Sequence, residues 1–224
     1  MATTGQCMLS AIPVRATGKS QAEIVTQLLF GETYSIQSET EEWLEIKIDF
    51  YGYIGWISAN QYHKHVFDPE GVVFRKRFEI HNDTVIPLGG HIPEKSSFSD
   101  QETPEIAKLM LGSPYLWGGR SFMGIDCSGL IQVVHKAKGI ALPRDASQQI
   151  HFGTEIEFAN RTAGDLVFFA NEAGKVHHVG LLISDDEIIH ASGEVRIDRL
   201  TEAGIQHSET GKQTHSFHRI RRLK

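Results

Sequence analysis

Polar and apolar residues alternate over several short stretches in the first third of the chain. The clearest stretch is Trp43-Leu44-Glu45-Ile46-Lys47-Ile48, whose period of two is typical of a strand with one buried face. Similar short runs occupy 22–30, 33–37 and 52–57, with glycines between them. Several short strands separated by turn residues predict a small all-β barrel over residues 1–85.

The stretch 86–104 has little periodicity and is punctuated by proline, glycine and serine. This composition is typical of a connection between domains, so we expect a linker here. Beyond it, the pattern of Glu105 to Leu111 predicts a short helix.

The strongest helical pattern begins at Cys127 and continues to Lys138. Gly139 follows where a C-terminal cap is expected, and the apolar face consists of Leu130, Ile131, Val134 and Ala137. Three runs of strand-forming residues come later, at 164–169, 179–184 and 188–192. A helix followed by an antiparallel sheet predicts an α+β domain over residues 105–224.

Composition and charge exclude several classes of protein. The 224-residue chain has a net charge of −6, and its longest basic block is Arg219-Ile220-Arg221-Arg222, which argues against a nucleic-acid partner. No apolar run approaches transmembrane length and no secretory leader is recognisable, so we expect a soluble cytoplasmic monomer without a membrane partner. Two cysteines, Cys7 and Cys127, form neither a disulfide framework nor a zinc motif, and we expect no metal and no cofactor.

Cys127 has the surroundings of a reactive thiol. A thiol attacks as its thiolate, so a catalytic cysteine needs groups that lower its pKa. Asp126 is a favourable N-cap residue and Cys127 opens the helix, which predicts a sulfur at the positive end of the helix dipole. We expect Cys127 to be the nucleophile and its backbone N–H to be an oxyanion donor. The alternative, a small buried residue, is our interpretation of Cys7.

His178 and His190 flank one predicted hairpin. A three-residue connection at 184–186 would pair Ile183 with Glu187 and place both histidines on one face, a diagonal step apart. A two-residue turn would place them on opposite faces. With the longer connection, His178 would accept the proton of the thiol and His190 would orient the ring of His178.

Six segments between residues 113 and 192 resemble the NlpC-type cell-wall peptidases, a family of the papain-like clan. They occur in the family's order and are Pro114-Tyr115-Leu116-Trp117-Gly118-Gly119, Asp126-Cys127-Ser128-Gly129-Leu130, Leu142-Pro143-Arg144-Asp145, Gly164-Asp165-Leu166-Val167-Phe168-Phe169, His178-Val179-Gly180 and Ile189-His190. The resemblance implies a papain-like α+β cysteine peptidase domain with Cys127 as nucleophile, His178 as base and His190 as the polar third residue. It also implies hydrolysis of stem peptides of peptidoglycan, commonly between γ-D-glutamate and a diamino acid.

The N-terminal part resembles the bacterial SH3-like barrel that precedes such peptidases in a cytoplasmic subgroup, on the segment Tyr53-Ile54-Gly55-Trp56. This resemblance implies that the barrel closes one end of the cleft and helps to select a free N-terminal L-alanine. We expect Tyr53 at the substrate amine beside the carboxylate of Asp126, because a buried ammonium needs an anion. The alternative for Tyr53 is an ordinary strand aromatic that packs the barrel.

Other residues of the matching segments are expected to line the cleft. Trp117 would form a wall near Cys127, and the small Ser128 would leave room for the substrate carbonyl. Arg144 and Asp145 are expected to contact the carboxylate and backbone of the substrate, with a structural ion pair as the alternative.

The sequence thus predicts an endopeptidase that cleaves the γ-D-glutamyl–diamino acid bond of small, N-terminally free muropeptides during cell-wall recycling. One alternative is a papain-like amidase or acyltransferase that acts on another wall-derived substrate. A second is a non-catalytic wall-binding protein. A third, a metal site built from Cys127, His177, His178 and His190, is disfavoured because adjacent histidines on a strand point to opposite faces.

Overall fold

An antiparallel sheet of six strands forms the N-terminal part of the protein in this computed structural model, which describes residues 3–74, 76–81, 83–94 and 100–223. The strands are β1 (Thr4–Gln6), β2 (Ala11–Arg15), β3 (Ile24–Leu29), β4 (Thr33–Glu39), β5 (Trp43–Ile48) and β6 (Ile54–Ser58). They lie in the order β1-β4-β5-β6-β2-β3, and a 3₁₀ turn at Ala59–Gln61 follows. The predicted alternation on β5 is confirmed, since Leu44, Ile46 and Ile48 are buried.

The core of this sheet contains Cys7, which is fully buried beside Ile12, Leu28 and Tyr34. Cys7 is therefore the small core residue that its apolar surroundings predict.

The segment predicted to be a linker packs against the rest of the protein in its first residues. Two small two-stranded sheets lie here, formed by β7 (Gly71–Val72) with β10 (His91–Ile92) and by β8 (Phe78–His81) with β9 (Thr84–Pro87), and the end of β9 and all of β10 fall within the predicted linker. Ile86 and Leu88 are fully buried, and Leu88 belongs to the same apolar core as Leu29 of β3. Residues 86–90 of the predicted linker are therefore buried, and the linker itself stays a prediction. Residues 95–99 of the predicted linker lie outside the described residues, and the limits 1–85 and 105–224 stay predictions.

Three short helices follow. The first, α1 (Thr103–Lys108), begins two residues before its predicted start because Pro104 is well suited to a first helical turn. A small pair of strands, β11 (Arg120–Ser121) and β12 (Gly124–Ile125), precedes α2 (Cys127–Lys136), and α3 (Ala146–Gln149) comes after it. Gly139 has φ +78°, and the N–H of Ile140 reaches the carbonyl of His135 at 2.9 Å, which closes the C-terminal end of α2.

The C-terminal sheet has seven antiparallel strands. They are β13 (Thr154–Ile156), β14 (Leu166–Ala170), β15 (Val176–Leu182), β16 (Glu187–Ser192), β17 (Glu194–Thr201), β18 (Gly204–Gln206) and β19 (Gln213–Arg222), with a 3₁₀ turn at Phe158–Asn160. Their order is β13-β19-β14-β15-β16-β17-β18, and β18 also pairs with β19. Six strands therefore form a closed ring to which β13 is added, so this part is richer in β-structure than the α+β prediction.

Helix α2 packs its apolar side on this sheet. Leu130 and Val134 share one core with Leu181 of β15 and Ile189 of β16. The packing brings the first turn of α2 against β15, the strand that carries His178. Within the described residues, no helix combines the length and apolar character needed to span a membrane.

A buried ion cluster joins the N-terminal sheet to the rest of the protein. Glu32, between β3 and β4, accepts two hydrogen bonds from the guanidinium of Arg120, at 2.9 and 3.0 Å, and one from Lys136 Nζ at 2.6 Å. All three side chains are at most 1% exposed. Desolvation alone would raise the pKa of Glu32, but the two cations outweigh it and hold this pKa well below its usual range.

Candidate active site

Cys127 is the first residue of α2, and Asp126 is its N-cap. Asp126 Oδ1 accepts from the N–H of Gly129 at 2.7 Å, and Oδ2 accepts from the N–H of Gly118 at 2.8 Å. The predicted cap is therefore confirmed. The sulfur lies against β15, since it interacts with the backbone N–H of Val179, the residue that follows His178.

The Cys127 thiol is not acidified in this structure. The side chain is only 6% exposed, and burial raises the pKa of the thiol to about 12, with a further rise from the charge of Asp126. The N–H groups of Val179 and Ser128 and the charge of Arg144 act in the opposite direction but do not compensate. The expectation of a lowered thiol pKa is therefore wrong, because the helix start is buried.

The hairpin of β15 and β16 has the predicted register. Leu181 pairs with Ile189, and the N–H of Ile183 donates to the carbonyl of Glu187 at 2.9 Å, which leaves a three-residue connection. His178 and His190 consequently share a face, and His178 Nε2 lies 2.9 Å from His190 Nδ1. Both rings are buried. Desolvation, followed by the neighbouring histidines, lowers the pKa of His178 well below its usual value, so the ring is neutral.

Asp198 on β17 contacts the far side of the His190 ring, and the sequence analysis did not identify this residue. Its Oδ2 lies 3.1 Å from His190 Nε2, and its Oδ1 accepts from the N–H of Ser208 at 2.8 Å. Arg196 Nε lies 3.1 Å from the same Oδ2. The signal that could have found Asp198 is its place on β17, the strand that follows the one with His190, at a position on the same face as His190.

His215 on β19 is a second residue that the sequence did not single out. Its ring stacks on that of His178, with centroids 4.0 Å apart and an angle of 23°. Desolvation, followed by the charges of His190 and His177, lowers the pKa of His215 to about 4. His215 therefore covers one face of the His178 ring.

Three histidines lie close enough together to be considered as metal ligands. Nitrogens of His178, His190 and His215 lie within 4.8 Å of one another. A metal ion lies in the plane of an imidazole ligand, so the stacked rings of His178 and His215 would have to rotate to bind one ion together. His177 is exposed whereas His178 is buried, as expected for adjacent strand residues. This geometry does not favour the metal alternative.

Cys127 opens into a cavity of about 420 Å³ between the N-terminal sheet and the C-terminal part. The walls include all six predicted substrate-binding residues, which are Tyr53, Trp117, Asp126, Ser128, Arg144 and Asp145. The walls also include Glu23, which sequence reasoning missed. Glu23 Oε1 accepts from Trp117 Nε1 at 2.5 Å, which holds the indole across the cleft.

Arg144 lines this cavity but has no free donor. Its guanidinium donates to Asp126 Oδ1 at 2.9 Å, Asp126 Oδ2 at 2.5 Å and Ser128 Oγ at 2.8 Å. The remaining N–H groups reach Thr26 Oγ1 at 3.1 Å and the carbonyl of Gly119 at 3.5 Å. A direct contact between Arg144 and a substrate carboxylate is therefore disfavoured by this structure, and the structural ion pair that was the alternative is present. The reason is that the buried Asp126 needs a bidentate partner.

Tyr53 is half-buried among acidic groups at one end of the cavity. Burial raises its pKa, and Asp145, Glu23 and Asp126 contribute in the same direction. Asp145, at the N-cap of α3, has a raised pKa because of burial, against the opposing effect of Arg144. Tyr53 also packs against the core of the N-terminal sheet, where its ring centroid lies 6.2 Å from that of Tyr51, so the packing alternative is present together with its position in the cavity wall.

Tyr115 lies near the thiol although the sequence assigned it no role. Burial raises its pKa to about 12, and its neighbour Cys127 adds to the rise. Its protonated hydroxyl can act as a hydrogen-bond donor.

A buried thiol at a helix start, a neutral imidazole chain on the facing strands and a mixed polar cleft define a cysteine hydrolase. Comparisons with known proteins agree with this class. A family model described as the NlpC/P60 family matches residues 112–214, and one described as a bacterial dipeptidyl-peptidase Sh3 domain matches residues 14–61. The chain belongs to the NlpC/P60 family of cysteine peptidases, with an SH3 domain in its N-terminal part.

Two curated relatives cover most of the chain. The gamma-D-glutamyl-L-lysine dipeptidyl-peptidase of Bacillus subtilis (strain 168) is 31% identical over 213 residues, which cover 75% of this chain and 72% of that protein. The protein of the same name from Bacillus cereus (strain ATCC 10987) is 26% identical over 224 residues, 75% of this chain and 67% of its own length. A solved NlpC/P60 family protein from Bacillus cereus ATCC 10987 has a TM-score of 0.79 at 19% identity, over 99% of both chains, which shows the shared fold.

Proposed function

We propose that this enzyme hydrolyses the γ-D-glutamyl–diamino acid bond of peptidoglycan stem peptides with a free N-terminal amine. The observation that carries the proposal is the acidic end of the cavity, where Tyr53 faces Glu23, Asp126 and Asp145 beside Cys127. A desolvated ammonium gains most from such surroundings. The names of the two Bacillus relatives support the same bond type.

In this proposal Cys127 is the nucleophile and His178 the base, in a papain-like reaction. Because the pKa of the thiol is raised and that of His178 is lowered, both groups begin neutral, and proton transfer accompanies attack on the carbonyl. The Cys127 N–H and the Tyr115 hydroxyl are suited to donate to the oxyanion. His178 then gives the proton to the departing amine, which leaves a thioester that water hydrolyses to the acid and the free thiol.

The acyl part of the substrate would lie with its amine at the acidic end. Asp126 has both oxygens occupied by Arg144 and by backbone N–H groups, so it contributes mainly charge. Glu23 and Asp145 are the acceptors with more freedom, and Trp117 covers the dipeptide. Arg144 and Ser128 act by holding Asp126 and the first turn of α2.

The diamino acid would lie near Lys175 and His177. The base must reach the departing nitrogen, so the leaving group lies on the side of His178, along the start of β15. Lys175 lines the cavity and, among the described residues, its side chain forms no hydrogen bond or ion pair. Its ammonium is therefore available to a carboxylate of the leaving diamino acid.

The test compares L-Ala-γ-D-Glu-diaminopimelate with its N-acetylated form. We expect kcat/KM to fall by about 10²-fold or more on acetylation, because the acidic groups lose their ammonium partner. Glu23→Gln should reduce the difference between the two peptides, and Cys127→Ala should abolish cleavage of both. Equal cleavage of the two peptides would contradict amine recognition.

We propose that the enzyme recycles wall peptides inside the cell. We also propose that it acts as a monomer, without a cofactor and without membrane or nucleic-acid partners. Cell fractionation and sizing of the protein in solution would test both proposals. A papain-like amidase or acyltransferase would keep Cys127 and His178 but would not depend on Glu23. A non-catalytic wall-binding protein would retain its biological effect in the Cys127→Ala variant.

A further inference from the structure

Three side chains run diagonally across three neighbouring strands in the centre of the closed sheet. His178 on β15 contacts His190 on β16 at 2.9 Å, and His190 contacts Asp198 on β17 at 3.1 Å. The register of each strand pair places the next residue one diagonal step away on the same face. All three side chains are at most 4% exposed. A buried carboxylate that contacts a histidine of the candidate site requires an explanation.

We propose that Asp198 is a positioning residue that fixes the tautomers of His190 and, through it, of the base His178. The proposal rests on the proposed function, because it assigns the state in which His178 receives the thiol proton. Asp198 touches neither substrate nor sulfur and acts only through His190.

With a neutral His190, the hydrogen-bond chain permits one consistent proton arrangement. An ionised carboxylate can only accept, so His190 carries its proton on Nε2 and donates it to Asp198 Oδ2. His190 Nδ1 is then a lone pair, and it accepts from His178 Nε2. His178 therefore bears its proton on Nε2, which leaves Nδ1 as the basic nitrogen.

The two carboxylate oxygens of Asp198 have different partners. The N–H of Ser208 donates to Oδ1 at 2.8 Å, which fixes the orientation of the carboxylate. Arg196 pairs with Oδ2, and its side chain is 19% exposed. Burial would raise the pKa of Asp198, but the hydrogen bonds from His190 and Ser208 outweigh it and hold this pKa well below its usual range.

The other titratable groups that face the chain come from β15 and β19. His215 stacks on His178 at 4.0 Å and lies edge-on to His190 at 5.8 Å. His177 stacks on His215 at 5.9 Å. These rings contact His178 and His190 through their faces and edges, whereas Asp198 is the acceptor at His190 Nε2 in the part of the chain that the structure describes.

Asp198→Asn is a specific probe of this role. The N–H of Ser208 donates a hydrogen bond to the Oδ1 position, whereas Arg196 Nε lies 3.1 Å from Oδ2 without forming one, so the amide oxygen of the new side chain takes the Oδ1 position and its NH₂ faces His190 Nε2. This arrangement reverses both tautomers, so that His178 presents an N–H at Nδ1 and cannot accept the thiol proton. Asp198→Ala removes the constraint without imposing the wrong tautomer.

The experiment measures peptide cleavage, alkylation of Cys127 by iodoacetamide from pH 4 to 9, and imidazole ¹⁵N shifts of the folded protein. We expect kcat to fall by about 10²-fold in Asp198→Asn, with KM within about twofold, and to fall less in Asp198→Ala. The ¹⁵N shifts should show the His178 proton on Nε2 in the wild-type protein and on Nδ1 in Asp198→Asn. Asp198→Glu should recover part of the activity.

The matched control is Asp165→Asn, since Asp165 is equally buried and pairs with Arg222 away from the histidines. This variant should keep the wild-type alkylation profile and ¹⁵N shifts even if its melting temperature falls. A purely structural role for Asp198 would make alanine at least as harmful as asparagine and leave the tautomers unchanged, which would overturn the proposal. If wild-type protein cleaves no stem peptide, the proposed function fails, whereas alkylation and ¹⁵N shifts still decide the role of Asp198.

Discussion

At the scale of single residues, burial keeps some groups of the site neutral and leaves others charged only where a partner of opposite charge is present. The Cys127 thiol and the His178 imidazole are both neutral, and each becomes reactive only through the other. Arg144, in contrast, is charged and completely occupied by its hydrogen-bond acceptors. Two predictions follow from these states.

Removing the stacked ring of His215 should change the pH dependence of catalysis. After desolvation, His215 is the largest cause of the lowered pKa of His178, so His215→Phe should raise this pKa while keeping the stacking. Activity requires neutral His178, so the acid limb of kcat/KM should move to higher pH, by about half to one unit. A plot of kcat/KM against pH measures the shift. His218→Phe, at an intermediate position on the same strand, is the control, and an unmoved acid limb in His215→Phe contradicts this assignment.

Replacing Arg144 by methionine should destabilise the protein strongly. The change leaves the buried carboxylate of Asp126 without its bidentate partner, so the free energy of unfolding should fall by about 3–5 kcal/mol. Urea denaturation measures this difference. The control is Lys108→Met, which removes a partly exposed pair with Glu105 and should change stability by less than about 1 kcal/mol. A similar small change in Arg144→Met would show that Asp126 is solvated by other groups.

At the scale of elements, the sequence patterns identified the parts that have one apolar and one polar face. Strand β5 and the start of α2 are as predicted, because alternating or helical periodicity reports burial directly. The register of β15 and β16 followed from the length of one connection and the requirement that two histidines share a face. Thus much of the candidate site could be derived by counting.

Strands β17 and β19 were not predicted, because they lack a clear alternation of apolar and polar positions. Their inner faces include Asp198 and His215, so polar residues occupy positions where a strand pattern expects apolar ones. Glu23 was missed because its role depends on the approach of the N-terminal sheet to the cleft. The pKa of Cys127 could not be read from its helix position because burial depends on the packing of α2 on β15.

At the scale of the whole molecule, several histidines are folded into apolar surroundings in neutral form. Desolvation lowers the pKa of His135 to about 4 and that of His91 to about 3, and it lowers that of His178 as well. In the unfolded chain the same groups titrate near pH 6.5. The unfolded state therefore binds more protons below this pH, and stability should decrease as the pH falls from about 6.5 towards 4.

Replacing His135 should flatten this dependence. With a folded pKa of about 4, His135 alone would cost about 3 kcal/mol of stability at pH 4 relative to pH 8. His135→Gln keeps a donor for the carbonyl of Ile131 and removes the titration. Urea unfolding at several pH values measures the effect, with the exposed His151→Gln as control. Equal slopes in all three proteins would contradict the prediction.

The junction between the SH3 domain and the peptidase part determines the shape of the cleft. Glu23 and Tyr53 belong to the SH3 side, whereas Cys127 and Asp145 belong to the other. Their relative position depends on contacts across the junction, and these include the fully buried cluster of Glu32, Arg120 and Lys136. Amine recognition should therefore respond to a change far from the substrate.

Replacing Glu32 by glutamine leaves two buried cations without a counter-charge. We expect the free energy of unfolding to fall by about 3–5 kcal/mol and, in the folded protein, KM for the free-amine peptide to rise more than kcat falls. Adding Lys136→Met should recover part of the stability, because only Arg120 then lacks a partner. Denaturation and steady-state kinetics on both variants measure these effects. If the single variant loses stability but keeps its KM and its preference over the acetylated peptide, the cluster supports folding without setting the cleft geometry.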